Sequence, residues 1–375
     1  MSHRGSPRGI VQQPAASAAP PGAPRRGRPP PYPRPAGWES ATVPQPQPPT
    51  APAPARQAPP RLRREVMPGG TALDRLDEKE PQNSGGFSWR TLLRRLTGID
   101  VGPGKGSAYE QELRERIRTP VGAAFPIAVL NLKGGVGKTV VVEALGSTFA
   151  AARDDHVIAV DIDAGDLGER HGRRNPLSMA DLLLNDAVAQ YSDVRAHTHM
   201  NSFGLEVLGL PDYARTDWRL DRHDIGRAFS VLRKHYSVVL VDCVKAVNSA
   251  VMDAVLPEAR ALVVVTSTSI DAIRKTRTTL ELLRNNGYRR LLRSTVLAIN
   301  HVEPGKVGVV AAKELDQLSA RVAATVVLPF DRHVHDGKEI GLDRLSRESR
   351  RSYLEMAAVL AGMFPGRGGE RPAPR

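Results

Sequence analysis

Residues Asn131–Thr139 read NLKGGVGKT, directly after the apolar run IAVL at 127–130 and directly before a helical pattern. Strand, glycine-rich loop and helix in that order form the setting of a phosphate-binding loop. Gly134, Gly135 and Gly137 carry no side chains, so the backbone N–H groups around them and Val136 can converge on an anion. A helix opening near Lys138 adds its positive end to the same place. Lys138 then reaches the β- and γ-phosphates of a nucleoside triphosphate such as ATP, and the Thr139 hydroxyl takes Mg²⁺. The usual spacing G-x-x-x-x-G-K-[ST] would place glycine at 132, where Leu132 stands. One lysine suffices for this cradle, which leaves Lys133 to be explained.

Outward from the loop, short apolar β-branched runs alternate with longer helical patterns. The expected strands are 127–131, 157–161, 205–210, 237–242, 261–267, 294–300 and 324–329. Helical patterns fall between them, as at 138–152, 178–185, 224–235, 271–286 and 346–363. Continuous apolar runs suit strands buried on both faces, and the alternation implies an α/β fold with a mostly parallel sheet between two helical layers.

Residues 1–85 differ in kind. They hold 20 of the 31 prolines and few large apolar groups, so the reading is a long disordered Pro/Arg-rich tail with polyproline II tendencies, able to dock a partner. The next segment, 86–120, opens with GFSWRTLLRRLTGID (86–100). As a helix it puts Trp89, Leu92, Leu93 and Leu96 on one stripe, with Arg90, Arg94 and Arg95 flanking it, which suits an anionic membrane surface, a partner protein or packing against the domain that follows. A charged helix at 108–118 follows, ending before Pro120. Residues 121–364 carry the α/β pattern, and 365–375 read as a flexible C-terminal tail. Of the net charge of +13, the first 85 residues contribute +6 and the next 35 contribute +3. The basic excess therefore lies mostly outside the α/β region, which weighs against a DNA-binding ATPase domain while leaving DNA as an alternative partner. One cysteine, Cys243, excludes an intrachain disulfide. No apolar run reaches the ~18 residues of a membrane span, and a cytoplasmic location, peripheral at the inner face of the plasma membrane, is the expectation. His197/His199 and His333/His335 are His-x-His pairs without a third ligand at suitable spacing, and carry no metal expectation.

KGGVGKT (133–139) resembles the deviant Walker motif of the MinD/ParA ATPases, a branch of the P-loop NTPases. The resemblance implies that Lys133 reaches across an ATP-bound homodimer to the partner's phosphates. It covers roughly residues 121–364 and extends to further motifs in order. VDID ends a strand with Asp161 and Asp163; by resemblance Asp161 belongs to the Mg²⁺ and switch region and Asp163 positions the attacking water. VVLVD ends with Asp242, the Walker B position, which binds Mg²⁺ through water. AINHVEP supplies Asn300, whose amide meets adenine. LPFDRHVHDGKEI resembles the loop that closes over the base, so Pro329 and Asp331 are further ligand candidates. Three positions depart from the pattern: Val140 replaces a second hydroxyl, Ala164 replaces a frequent proline, and DCVKAV follows the Walker B strand where proline and glycine are usual. YSDVRAHT, LRNNGY, AINHVEPG and PFDRHVHDGKEI, with the proline-rich tail and Trp-containing helix, resemble the proline-rich MinD-like ATPases of actinobacterial type VII secretion loci. That resemblance implies an accessory ATPase acting on a secretion machinery.

Overall fold

The computed structural model describes residues 106–366. The Pro/Arg-rich segment 1–85, the amphipathic stretch 86–99 and all but the first two residues of the 365–375 tail lie outside the described residues.

The first strand, β1 (Phe125–Leu130), is buried along its whole length. Successive side chains of a strand point to opposite faces. Ile127 and Val129 accordingly join one apolar core, while Ala128 and Leu130 join another on the far side of the sheet. The first core is closed by α1 (Gly106–Ile117), α2 (Lys138–Ala152) and α12 (Arg347–Ala361). The second is closed by α4 (Met179–Leu184), α6 (Arg222–Leu232), α7 (Ala250–Glu258), α8 (Ile270–Asn285) and α10 (Val309–Ser319). The other strands are β2 (Val157–Asp161), β3 (His199–Met200), β4 (Glu206–Leu208), β5 (Val238–Asp242), β6 (Ala261–Ser267), β7 (Thr295–Asn300) and β8 (Ala324–Leu328). Their spatial order is β3-β4-β2-β5-β1-β6-β7-β8. Every pairing is parallel except β3 with β4. The α/β architecture with two helical layers is as the alternation of patterns implied.

Three differences have local causes. The run 205–210 forms only the three residues of β4, because the Gly209 carbonyl leaves the ladder to accept from Met179 N–H at the start of α4. The two-residue β3 is too short to show a period; Asn201 creates it by accepting from the N–H groups of Phe203 and Leu205, turning the chain back. The charged helix expected at 108–118 is present as α1, but instead of serving only as part of a connector it buries Tyr109, Leu113 and Ile117 in the same core as α2 and α12. Arg153, at the end of α2, ties it down by donating to the Ile117 and Thr119 carbonyls. No described helix is long and apolar enough to cross a membrane.

Candidate nucleotide-binding site

Parallel strands bring their C-terminal ends to one edge, and ligands of such sheets bind in the crevice beyond that edge. Here β1, β2, β5 and β7 deliver the glycine-rich loop, Asp161, Asp242 and Asn300 to it. Gly135 and Gly137 have φ of 76° and 93°, the left-handed region that glycine adopts without steric cost. A Cβ on Gly137 would also collide with the Asn300 amide. Gly137 caps α2, so Lys138 begins the helix, as its reading required.

Lys138 is buried, and its Nζ lies 3.4 Å from Asp163 Oδ2. The loop lysine and Asp163 thus pair across the end of the phosphate loop. Asp161 and Asp242 face one another in register on β2 and β5, both essentially inaccessible. They differ in how they are satisfied. Asp161 accepts from the N–H groups of Asp163, Gly165 and Leu167. Burial raises its pKa to about 6, with the N–H groups of Leu167, Asp163, Gly165 and Gly168 opposing the rise. Asp242 has no hydrogen bond of sound geometry to either carboxylate oxygen. Burial, then the neighbouring Asp161, pushes its pKa up to about 7, against the pull of the Thr139 hydroxyl and Lys138. A buried carboxylate with free lone pairs beside a threonine hydroxyl fits a hard cation such as Mg²⁺, which takes oxygen ligands. Of the expected trio, Thr139 and Asp242 are thus free to serve the ion, whereas the oxygens of Asp161 already organise the turn at 163–167.

Lys133 turns outward. Its Nζ pairs with Asp271 Oδ2 at 2.6 Å at the start of α8, both side chains being about half exposed to solvent (43% and 55%). A cation so placed is easily withdrawn, since exposed pairs contribute little. Lys245, in the altered switch segment, lays its stem over Gly134: a Cβ there would sit 3.2 Å from its Cε.

Asn300, Pro329 and Asp331 line one cavity of 170 Å³ with Gly135, Gly137 and Tyr353. Asn300 Nδ2 donates to the Val136 carbonyl at 2.9 Å, bracing the loop. Asp331 caps the short α11 (Arg332–His335) by accepting from His333 N–H and also accepts from Ser346 N–H. Burial opposes its ionisation, but the bonds from Ser346, Ser349 and His333 outweigh it and hold the carboxyl below the ordinary range. Both side chains therefore shape the cavity wall in addition to bordering it.

Sequence reasoning passed over Asn131, which is fully buried. Its Nδ2 donates to the Val265 carbonyl and the Thr276 hydroxyl, and its Oδ1 accepts from the Thr279 hydroxyl and Lys133 N–H. The loop's first residue is thereby bolted to β6 and α8. An asparagine at the end of an apolar strand was the available signal. Asn131→Leu should lower stability by about 1–3 kcal/mol, because buried partners lose their bonds; equilibrium urea unfolding measures it, and an unchanged midpoint would exclude this role. Cys243 is fully buried, and burial pushes its thiol well above the ordinary value, so it is inert.

The fold and loop agree with what is found in known proteins. The pattern of the CobQ/CobB/MinD/ParA nucleotide binding domain matches residues 127–342. The ESX-1 secretion-associated protein EspI of Mycobacterium tuberculosis, in two strains, is 38% identical over 281 residues, covering 74% of this chain. The chain spans 42% of the length of those relatives. Among solved structures, a ParA family ATPase from Chlorobium tepidum TLS superposes with a TM-score of 0.54 at 18% identity, covering 63% of this chain and 98% of that one; this likeness concerns the fold. With glycine loop, lysine, strand-end aspartates and sheet order all in place, the chain belongs to the CobQ/CobB/MinD/ParA nucleotide-binding domain family.

Proposed function

We propose that residues 121–364 form a slow Mg²⁺-dependent ATPase that works as a dimerisation switch, serving a secretion machinery. The observation that carries the reading is the contrast between two lysines of one loop. Lys138 is buried beside Asp163 and near the unsatisfied Asp242, as a nucleotide ligand must be. Lys133 is held away from its own loop by Asp271, on the surface where a second copy can meet it. Bound ATP would take over Lys138, releasing Asp163 to orient water; Thr139 and Asp242 would hold Mg²⁺, which neutralises phosphate charge. Asn300, Pro329 and Asp331 would border adenine. Lys133 from one subunit would meet the phosphates of the other, so that assembly completes the charge stabilisation needed for hydrolysis. The likeness to EspI supports an accessory role in type VII secretion, with the 1–85 segment engaging a protein partner and 86–99 an anionic membrane face.

The deciding experiment is light scattering after gel filtration, with and without ATP and Mg²⁺. Wild type should become dimeric with ATP. Lys133→Ala should stay monomeric and lose about tenfold or more in hydrolysis, while binding ATP nearly as well. Equal dimerisation and equal hydrolysis would overturn the reading. A second reading, a nucleotide-binding scaffold without turnover, is favoured by Lys245 lying over Gly134. ATP bound but never cleaved in a single-turnover measurement would select it.

A further inference from the structure

Beside Glu143 of α2, a second cluster of chemistry-bearing side chains lies outside the residues assigned to the nucleotide. His171, which ends α3 (Asp166–Arg170), is 1% exposed, and neither ring nitrogen makes a hydrogen bond of sound geometry. Its Nδ1 faces Glu339 Oε1 and its Nε2 faces Glu143 Oε1, each at 3.4 Å. His199 of β3 lies beside it, the ring centroids 5.5 Å apart. One donor atom each from His171, His199 and Glu339 fall within 4.8 Å of one another.

We propose that His171, His199 and Glu339 form a Zn²⁺ site. Two imidazoles and a carboxylate are a donor set that suits zinc and leaves a fourth position for water. The surroundings have the form that such sites need. Glu143 is fully buried, and accepts from Arg170 Nε at 2.8 Å and from Ile340 N–H at 2.6 Å. Fixed in this way, it faces His171 Nε2 and orients Nδ1 toward the ion, a carboxylate–histidine–metal relay. Arg174, with 54% of its side chain exposed, now spans the site: Nη1 lies 3.1 Å from His199 Nε2, and Nη2 lies 2.7 Å from Glu339 Oε2. Its guanidinium is thus a cation where a cation is wanted, and it can swing into solvent. His171, His199 and Arg174 border an open cleft of 510 Å³, which gives an ion its entry path. Zn–N bonds of about 2.0–2.1 Å require the three donors to draw together; His199 and Glu339, only partly buried, have more room to shift than the buried His171. The ligands come from three separate segments, so the ion fastens the chain that follows Asp163 to edge strand β3 and to the loop that follows Asp331. This site stands whether or not the nucleotide reading holds.

The test uses untagged full-length protein, stripped of metal by chelator and titrated with Zn²⁺ against a chromogenic competitor, then with Co²⁺. One equivalent should bind, with the absorption of tetrahedral Co²⁺. His199→Gln and Glu339→Gln should each weaken binding by about tenfold to a hundredfold, and the exposed His223→Gln should leave it unchanged. Arg174→Ala should bind more tightly than wild type, a sign that a purely structural role for the cluster would not produce. Absence of stoichiometric binding, equal affinity in wild type, His199→Gln and Glu339→Gln, or weaker binding by Arg174→Ala would overturn the proposal.

Discussion

Asp242→Asn is expected to yield a protein that is more stable without ligand and no longer responsive to Mg²⁺. In the folded chain the Asp242 carboxyl titrates at about 7, against an ordinary value of 3.8. Between those values the folded state binds the proton more tightly than the unfolded state does. The group's contribution to stability is therefore fully present below about pH 4 and falls as pH rises toward 7. Above pH 7 the ligand-free protein carries the full cost of a buried, unsatisfied carboxylate beside Asp161. A shift of this size corresponds to a few kcal/mol, at about 1.4 kcal/mol per tenfold change in the proton equilibrium. The amide itself remains short of partners, so a net gain of about 1–3 kcal/mol at pH 8 is expected. It should vanish by pH 4. Urea unfolding across that range measures it, and ATP titration with and without Mg²⁺ gives the functional half: wild type should bind ATP more tightly with Mg²⁺ and the variant should not. A variant no more stable than wild type at pH 8, with an intact Mg²⁺ effect, would show that Asp242 does not store a site for the ion. Such an exchange of stability for a working charge is common at functional sites.

Gly137→Ala should abolish nucleotide binding while leaving the chain folded. The residue sits at φ 93°, where a β-carbon adds strain of about 1–3 kcal/mol. The new carbon would also strike the Asn300 amide, which holds the Val136 carbonyl. Relief of either strain moves the loop that presents Val136, Gly137 and Lys138 to a phosphate. Adding Asn300→Ala removes the collision but not the backbone strain, so stability should recover only in part. ATP affinity near that of wild type in Gly137→Ala, by calorimetry, would refute the loop geometry as the basis of binding.

Much of this molecule was readable in one dimension because its signals are local. Glycines before Lys138-Thr139 specify a loop, since glycine adopts the positive φ of Gly135 and Gly137 without steric cost and leaves room for close approach there. Apolar runs specify strands because a sheet covered on both faces has no polar side to alternate with. The strand-end aspartates Asp161 and Asp242 were visible as acids terminating such runs, and the structure seats them side by side. What stayed illegible is long-range. Asn131 could be read as the end of a strand, but it could not be read that α8 would bring Thr276 and Thr279 to it.

From its order of residues alone, this chain determined the phosphate loop, the alternation of strands and helices, and the family. Those properties depend on neighbours a few positions apart. Tertiary structure alone decided which groups are satisfied: Asp161 saturated and Asp242 not, Lys138 buried and Lys133 drawn aside by Asp271. It also decided that His199, half of an unremarkable His-x-His pair, meets His171 and Glu339, while His197 turns to the Asp193 carbonyl. Burial and charge proximity belong to the packed body, because they arise from segments far apart in the chain, as Glu143 and the Ile340 N–H, 197 positions apart, are.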